Sequence, residues 1–169
     1  MPHPPDDPPI AAGLDLDLDV IVETGLPVDL DLDALHRLIP FVLHAEGAAG
    51  PWTVAVVLTD DDRLRTLHRD FMGLDTPTDV MTFPLSDGDV AAAEERGGDV
   101  IVSVERAAHQ AAEYDQTVAQ EASFLVVHGL LHLCGWDDGS DAERSRMLAR
   151  QADLIAAFDS GKPLRATGP

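Results

Sequence analysis

Positive charge is what this chain has least of. Its 169 residues carry 11 Lys and Arg against 31 Asp and Glu, a formal net charge of −20, and Lys162 is the single lysine. Tight binding to bare nucleic acid draws on concentrated positive charge, so this balance argues against a general nucleic-acid binder. A local basic patch or a metal ion is still compatible with it. Cysteine is nearly absent too. Cys134 stands alone, which excludes an internal disulfide framework, a multi-cysteine zinc finger and a cysteine-ligated iron–sulfur cluster. A reducing cytoplasm fits that usage. Aromatic residues make up 5%. No apolar run approaches the ~20 residues of a membrane span. The first nine residues have neither a basic region nor an apolar stretch, so no secretory signal and no membrane association are expected.

What is present is an ordinary globular balance, 45% hydrophobic and 25% charged residues, in a length suited to one domain. Residues 1–13 are rich in proline and read as a disordered segment. Residues 159–169 read as a loose tail. Between them, 14–158 carries the periodic pattern. Leu14, Leu16, Leu18, Val20 and Val22 alternate with Asp15, Asp17, Asp19, Ile21 and Glu23, a strand with one wet face. Asp29, Asp31 and Asp33 crowd the start of a helix that Pro40 should kink. Further strands are expected at 52–59, 80–85 and 99–104, with a polar loop at 86–97 closed by Gly97 and Gly98. Helices are expected from about 60 to 71, 105 to 114, 118 to 134 and 140 to 158. Thr117 with Gln120, and Ser140 with Glu143, have capping-box spacing. The expected fold is α/β (α+β): a small mixed sheet of about four strands packed with about five helices in a single domain.

The chemistry is concentrated in residues 128–138, HGLLHLCGWDD. His128 and His132 are one helical turn apart and share a face. Two imidazoles so placed can bind one metal ion. Gly135 stops the helix and permits a reversal, and Asp138 can swing back as a third ligand. Three protein ligands leave a position open, the arrangement of a catalytic rather than a structural zinc site. Paired histidines on an apolar helix can also be plain core residues, but the helix stop and the carboxylate favour a metal. Metalloproteases with similar spacing take their general base from a Glu directly after the first His. Here that position is Gly129.

Residues 128–143, HGLLHLCGWDDGSDAE, resemble the signature of the YbeY family, roughly HGxLHLxGYDH followed by acidic residues. Thr76 to Pro84, TPTDVMTFP, resembles the family's KPTDVLSFP stretch. Gly98 to Ser103, GDVIVS, resembles its GDIVIS strand. The resemblance spans about 15–158. It implies a metal-dependent, single-strand-preferring endoribonuclease that acts in ribosomal RNA processing, at the 3′ end of the small-subunit RNA, and in ribosome quality control. It implies one zinc, or another divalent metal, on His128, His132 and Asp138. Ribosomal RNA and the ribosome or its proteins are the implied partners, with no DNA expected.

Two positions depart from the family pattern. Its third ligand is His where Asp138 stands, and Asp is itself a competent zinc ligand. Its added negative charge should lower the Lewis acidity of the ion. Asp137 and Asp141 are neighbouring carboxylates, and Asp137 reads as a supporting or capping group. The family's functional Arg before KPTDV falls at Met72. Arg69, one turn earlier, is the candidate phosphate-contacting catalytic residue, with Arg65 in support; a solvated helix face is the plain alternative for both. His68 reads as surface. Cys134 should face away from the metal, His109 has no partner at metal spacing, and Trp136 should anchor the ligand loop. A metallopeptidase-like hydrolase, or a ribosome-associated factor with a degenerate metal site, are the alternative functions.

Overall fold

The computed structural model describes residues 13–23, 30–74, 78–85 and 96–169. Segment 1–12, most of the 86–97 loop, and Thr76 and Pro77 of the TPTDV stretch lie outside the described residues. The elements run β1 (Leu14–Val22), α1 (Leu32–Ala45), β2 (Gly50–Thr59), α2 (Asp61–Met72), β3 (Val80–Pro84), β4 (Arg96–Ser103), α3 (Val104–Glu113), α4 (Val118–Leu133) and α5 (Asp141–Ser160). The sheet order is β1-β2-β4-β3, with β1, β2 and β4 parallel and β3 antiparallel to β4. This is the four-stranded mixed sheet with five helices that the patterning implies.

Side-chain alternation decides which face is dry. Trp52, Val54, Val56 and Leu58 of β2 and Val100 and Val102 of β4 are buried. Asp15, Asp17 and Asp19, Thr53 and Asp99 point to solvent. Parallel sheets are usually covered on both faces. Here carboxylates on the edge strand β1 keep one face wet and discourage pairing with another chain.

Helix α4 is the centre of the molecule. Its Val126, Val127, Leu130 and Leu131 are fully buried, and it packs against α1, α3, α5, β3 and β4. Being apolar nearly all round, it belongs in a core rather than at a surface. Its N-terminus closes in a full capping box between Thr117 and Gln120. At Ser140 the arrangement differs. Its Oγ accepts from the Glu143 backbone N–H, and its hydroxyl donates to the Glu143 carboxylate at 2.9 Å.

Helix α1 runs from Leu32 to Ala45 with Pro40 inside it, and packing of Leu38, Ile39, Val42 and Leu43 offsets the missing backbone bond. One expectation is corrected. Gly97 and Gly98 do not close a loop; they lie inside β4. A Cβ on Gly97 would fall on the Thr53 carbonyl oxygen, and one on Gly98 on that of Phe83, so glycine serves close strand approach.

Candidate metal centre

The end of α4 builds the site. Gly135 takes φ +97°, which only glycine adopts freely. Its N–H donates to the His132 carbonyl and that of Trp136 to the Leu131 carbonyl, both at 3.0 Å, the pair of bonds of a Schellman stop. The reversal carries Asp138 back over the helix. The His128 and His132 Nε2 atoms stand 3.1 Å apart. The Asp138 Oδ2 lies 3.3 Å from the first and 3.6 Å from the second. These three residues form the metal-competent group among the described residues.

Neighbouring bonds assign the proton on each ring. The Gln151 side-chain N–H donates to the Phe124 carbonyl at 3.2 Å, which turns its Oε1 toward His128 Nδ1 at 2.9 Å. That ring nitrogen must therefore be the donor. His132 Nδ1 faces the Trp136 carbonyl at 3.0 Å, and a carbonyl can only accept. In their neutral, ligating form both imidazoles thus present bare Nε2 lone pairs to one another and to a carboxylate oxygen. Three acceptors converging at this distance repel unless a cation lies among them, which is the chemical test a metal site should pass.

A buried relay holds the loop. The Trp136 indole N–H donates to Glu46 at 3.2 Å, and Arg150 pairs with Glu46 at 2.7 Å. The Arg150 and Glu46 side chains are 6% and 2% exposed. Arg150 also donates to the Arg165 carbonyl at 2.8 Å, and Leu164 packs on the core, which ties the residues after α5 to the body.

The ligands face a cleft of about 310 Å³ walled by β3 and by His68 and Met72 of α2. The Asp61 carboxylate secures α2 by accepting from the Ser103 hydroxyl at 2.8 Å and pairing with Arg106 at 2.9 Å. Gly129 faces the sheet. A Cβ there would fall on the Val100 Cγ1, so no acidic side chain fits where metalloproteases keep their base.

The other candidates divide. His68, read as surface, lines the cleft. Arg69 does not line it; its guanidinium pairs with the adjacent Asp70 at 3.4 Å on an exposed face, because it sits about 100° round the helix from His68. Arg65 is exposed on the same helix. Asp137 accepts from the Asp138 N–H at 2.8 Å and supports the turn. Asp141 opens α5 in its first turn. His109 is exposed, 3.9 Å from Glu113. Trp136 is anchored as expected, and Cys134 is apart from the ligand group.

Sequence reading missed Gln151, Glu46 and Arg150. Gln151 had a signal: it lies between Met147 and Leu154 on the buried stripe of α5, fully buried, where a polar residue needs a partner.

Comparison with known proteins now decides the family. The family model described as Endoribonuclease YbeY matches residues 27–159. The chain belongs to the YbeY family. It is 40% identical over 132 residues to the endoribonuclease YbeY of Moorella thermoacetica, covering 74% of this chain and 85% of that one. It is 37% identical over 149 residues to the YbeY of Roseiflexus sp., covering 85% and 92%. The solution structure of a Thermotoga maritima protein superposes with a TM-score of 0.58 at 26% identity, covering 86% of this chain and 91% of that one. The YbeY-like signature, strand and PTDV stretch read from the sequence therefore identify the family correctly.

Proposed function

We propose that this protein is a zinc-dependent endoribonuclease that cuts single-stranded RNA and acts in ribosomal RNA processing. The observation that carries the reading is the convergence of three lone-pair atoms, His128 Nε2, His132 Nε2 and Asp138 Oδ2, at the floor of an open cleft. A His₂Asp set with an open position suits zinc, though another divalent ion can use it. When bound, the ion supplies Lewis acidity toward a phosphoryl group.

The chain's own residues do the rest. Gln151 and the Trp136 carbonyl hold both rings in the ligating tautomer. Asp138 brings one negative charge to the site. Arg69 is the candidate phosphate contact; its pairing with Asp70 is exposed, and such pairs are worth only ~0–1 kcal/mol, so the side chain is free to be recruited. The net charge of −20 makes association with free RNA weak at low salt. A basic ribosomal protein beside the RNA would offset that repulsion, which supports a ribosome-bound substrate in the cytoplasm. No helix among the described residues is long and apolar enough to cross a membrane.

Gly129 disfavours the peptidase alternative. The experiment is to incubate the zinc-loaded protein with single-stranded RNA from the 3′ end of the small-subunit precursor, the same sequence as duplex, the same sequence as DNA, and casein. Cleavage of the single-stranded RNA alone, lost in His128→Ala, is expected. Cleavage that survives complete metal removal contradicts the proposal, and digestion of casein favours the peptidase.

A further inference from the structure

A second cavity, of about 480 Å³, adjoins the metal cleft and shares Asp79, Val80 and His128 with it. It opens between α3, α4 and α5, and the chemistry above makes no use of it. Glu121 of α4 lines this cavity and is 7% exposed. Its carboxylate has no hydrogen bond or ion pair among the described residues. The contrast with Glu46 is direct. That buried carboxylate takes an Arg150 N–H on one oxygen and the Trp136 N–H on the other. Buried carboxylates are ordinarily satisfied in this way, whereas the Glu121 oxygens open onto the cavity, where the donors of a ligand can reach them. Burial, and then the nearby Asp79 carboxylate, push the Glu121 carboxyl above its ordinary range, as expected where no N–H holds the ionised form.

The walls restrict what can supply those donors. Asp79 accepts from the Gln110 amide at 3.2 Å, and its charge together with that of Glu121 repels a phosphate. Phe124, Leu148 and Tyr114 give apolar surface, and Leu148 and Tyr114 are exposed at 42% and 68%. A flat ring with N–H groups along one edge fits such a pocket. Single-stranded RNA is commonly read this way, with the base splayed onto apolar side chains and its edge hydrogen-bonded.

We propose that this cavity receives the base of a nucleotide flanking the scissile phosphate, and that Glu121 selects guanine through its N1–H and N2–H donors; this rests on the RNA-cleaving reading of the adjoining site. A carboxylate offers two acceptors and no donor. Guanine is the base with two adjacent donors on its pairing edge. Adenine and cytosine each set one amino group beside a lone pair, and uracil sets one N–H between two carbonyls.

The test separates the pocket from the nuclease. GMP, IMP, AMP and UMP are titrated into the zinc-loaded protein and into Glu121→Gln while amide NMR shifts are followed, which also shows that the variant is folded. IMP differs from GMP by loss of the N2 amino group. GMP should bind about tenfold more tightly than IMP, in line with a good bidentate base contact, and Glu121→Gln should remove the difference. Equal affinities, or a preference that persists in the variant, overturn the proposal. Cleavage of a random-sequence single-stranded RNA pool, with the new ends sequenced, gives the second readout. Guanine enrichment at one fixed position beside the cut, lost in Glu121→Gln, supports the pocket. Cleavage without that bias overturns it and leaves the nuclease standing. A GMP preference without any cleavage supports guanine recognition by Glu121 but overturns the nuclease reading, and with it the placement of the base beside a scissile phosphate.

Discussion

Gln151 and His128, 23 residues apart in sequence, are joined by a 2.9 Å hydrogen bond that fixes which nitrogen of the ring carries the proton. Gln151 is itself fixed by its bond to the Phe124 carbonyl on the helix that bears His128. The ligand's orientation is therefore set by α5 as well as by α4. Gln151→Leu should leave the fold in place and weaken zinc binding by ~10–100-fold, the usual cost of losing a partner behind a ligating histidine. Competition against a chromophoric chelator measures this; unchanged affinity would show that Gln151 only fills space.

Gly129 makes a separate demand. A Cβ there meets Val100 Cγ1, with Thr82 also close. Gly129→Ala should lower stability by about 1–3 kcal/mol through overpacking. Adding Val100→Ala should recover part of that loss, because it removes the atom in the way. Urea unfolding of both variants checks the pair. If the two changes are simply additive, the helix does not approach the sheet as closely as described.

The Arg150–Glu46 pair should behave as a buried ion pair. Arg150→Met leaves Glu46 buried without its cation and should cost about 3–5 kcal/mol. The double variant Glu46→Leu/Arg150→Met should recover most of that, because no charge is left stranded. The Trp136 indole would still lose its acceptor, so the ligand loop should loosen and zinc should dissociate faster. Unfolding curves and chelator-driven release rates report the two effects separately.

Much of this was legible in the sequence because it is local. The period of two in β1, the capping residues Thr117 and Ser140, the His128–His132 spacing and the stop at Gly135 all follow from neighbouring residues. The long-range partners were not legible. Gln151, Glu46 and Arg150 act across the fold, and no local pattern states which buried polar groups will meet. Gly97 and Gly98 misled for the same reason: a glycine pair looks like a turn until the strand that needs the room is known. His68 and Arg69 show the limit at one-residue scale, since the position of α2 against β3 decides which of the two lines the cleft.

Cys134 offers a check independent of activity. Burial, with a contribution from the Glu46 carboxylate, pushes its thiol up to about 12. The reactive species is the thiolate, so at pH 8 the reactive fraction should be on the order of one in ten thousand. Iodoacetamide should label the native protein far more slowly than the urea-unfolded chain, as mass spectrometry would show. Equal rates would contradict the packing at the end of α4.

Asp138 distinguishes a working site from a degenerate one. Asp138→Ala should sharply weaken metal binding. Asp138→His should keep it while removing one negative charge from the site. If the natural protein cleaves no RNA and Asp138→His does, the factor with a degenerate site becomes the better reading.

The most direct test of the central claim is the metal content of the purified, untagged protein, measured by elemental analysis beside the His128→Ala/His132→Ala double variant. The account predicts about one equivalent of zinc or a similar divalent metal per chain, lost in the variant. A natural protein that holds no metal even after supplementation, or a variant that keeps it, would contradict the assignment of His128, His132 and Asp138 as the metal centre.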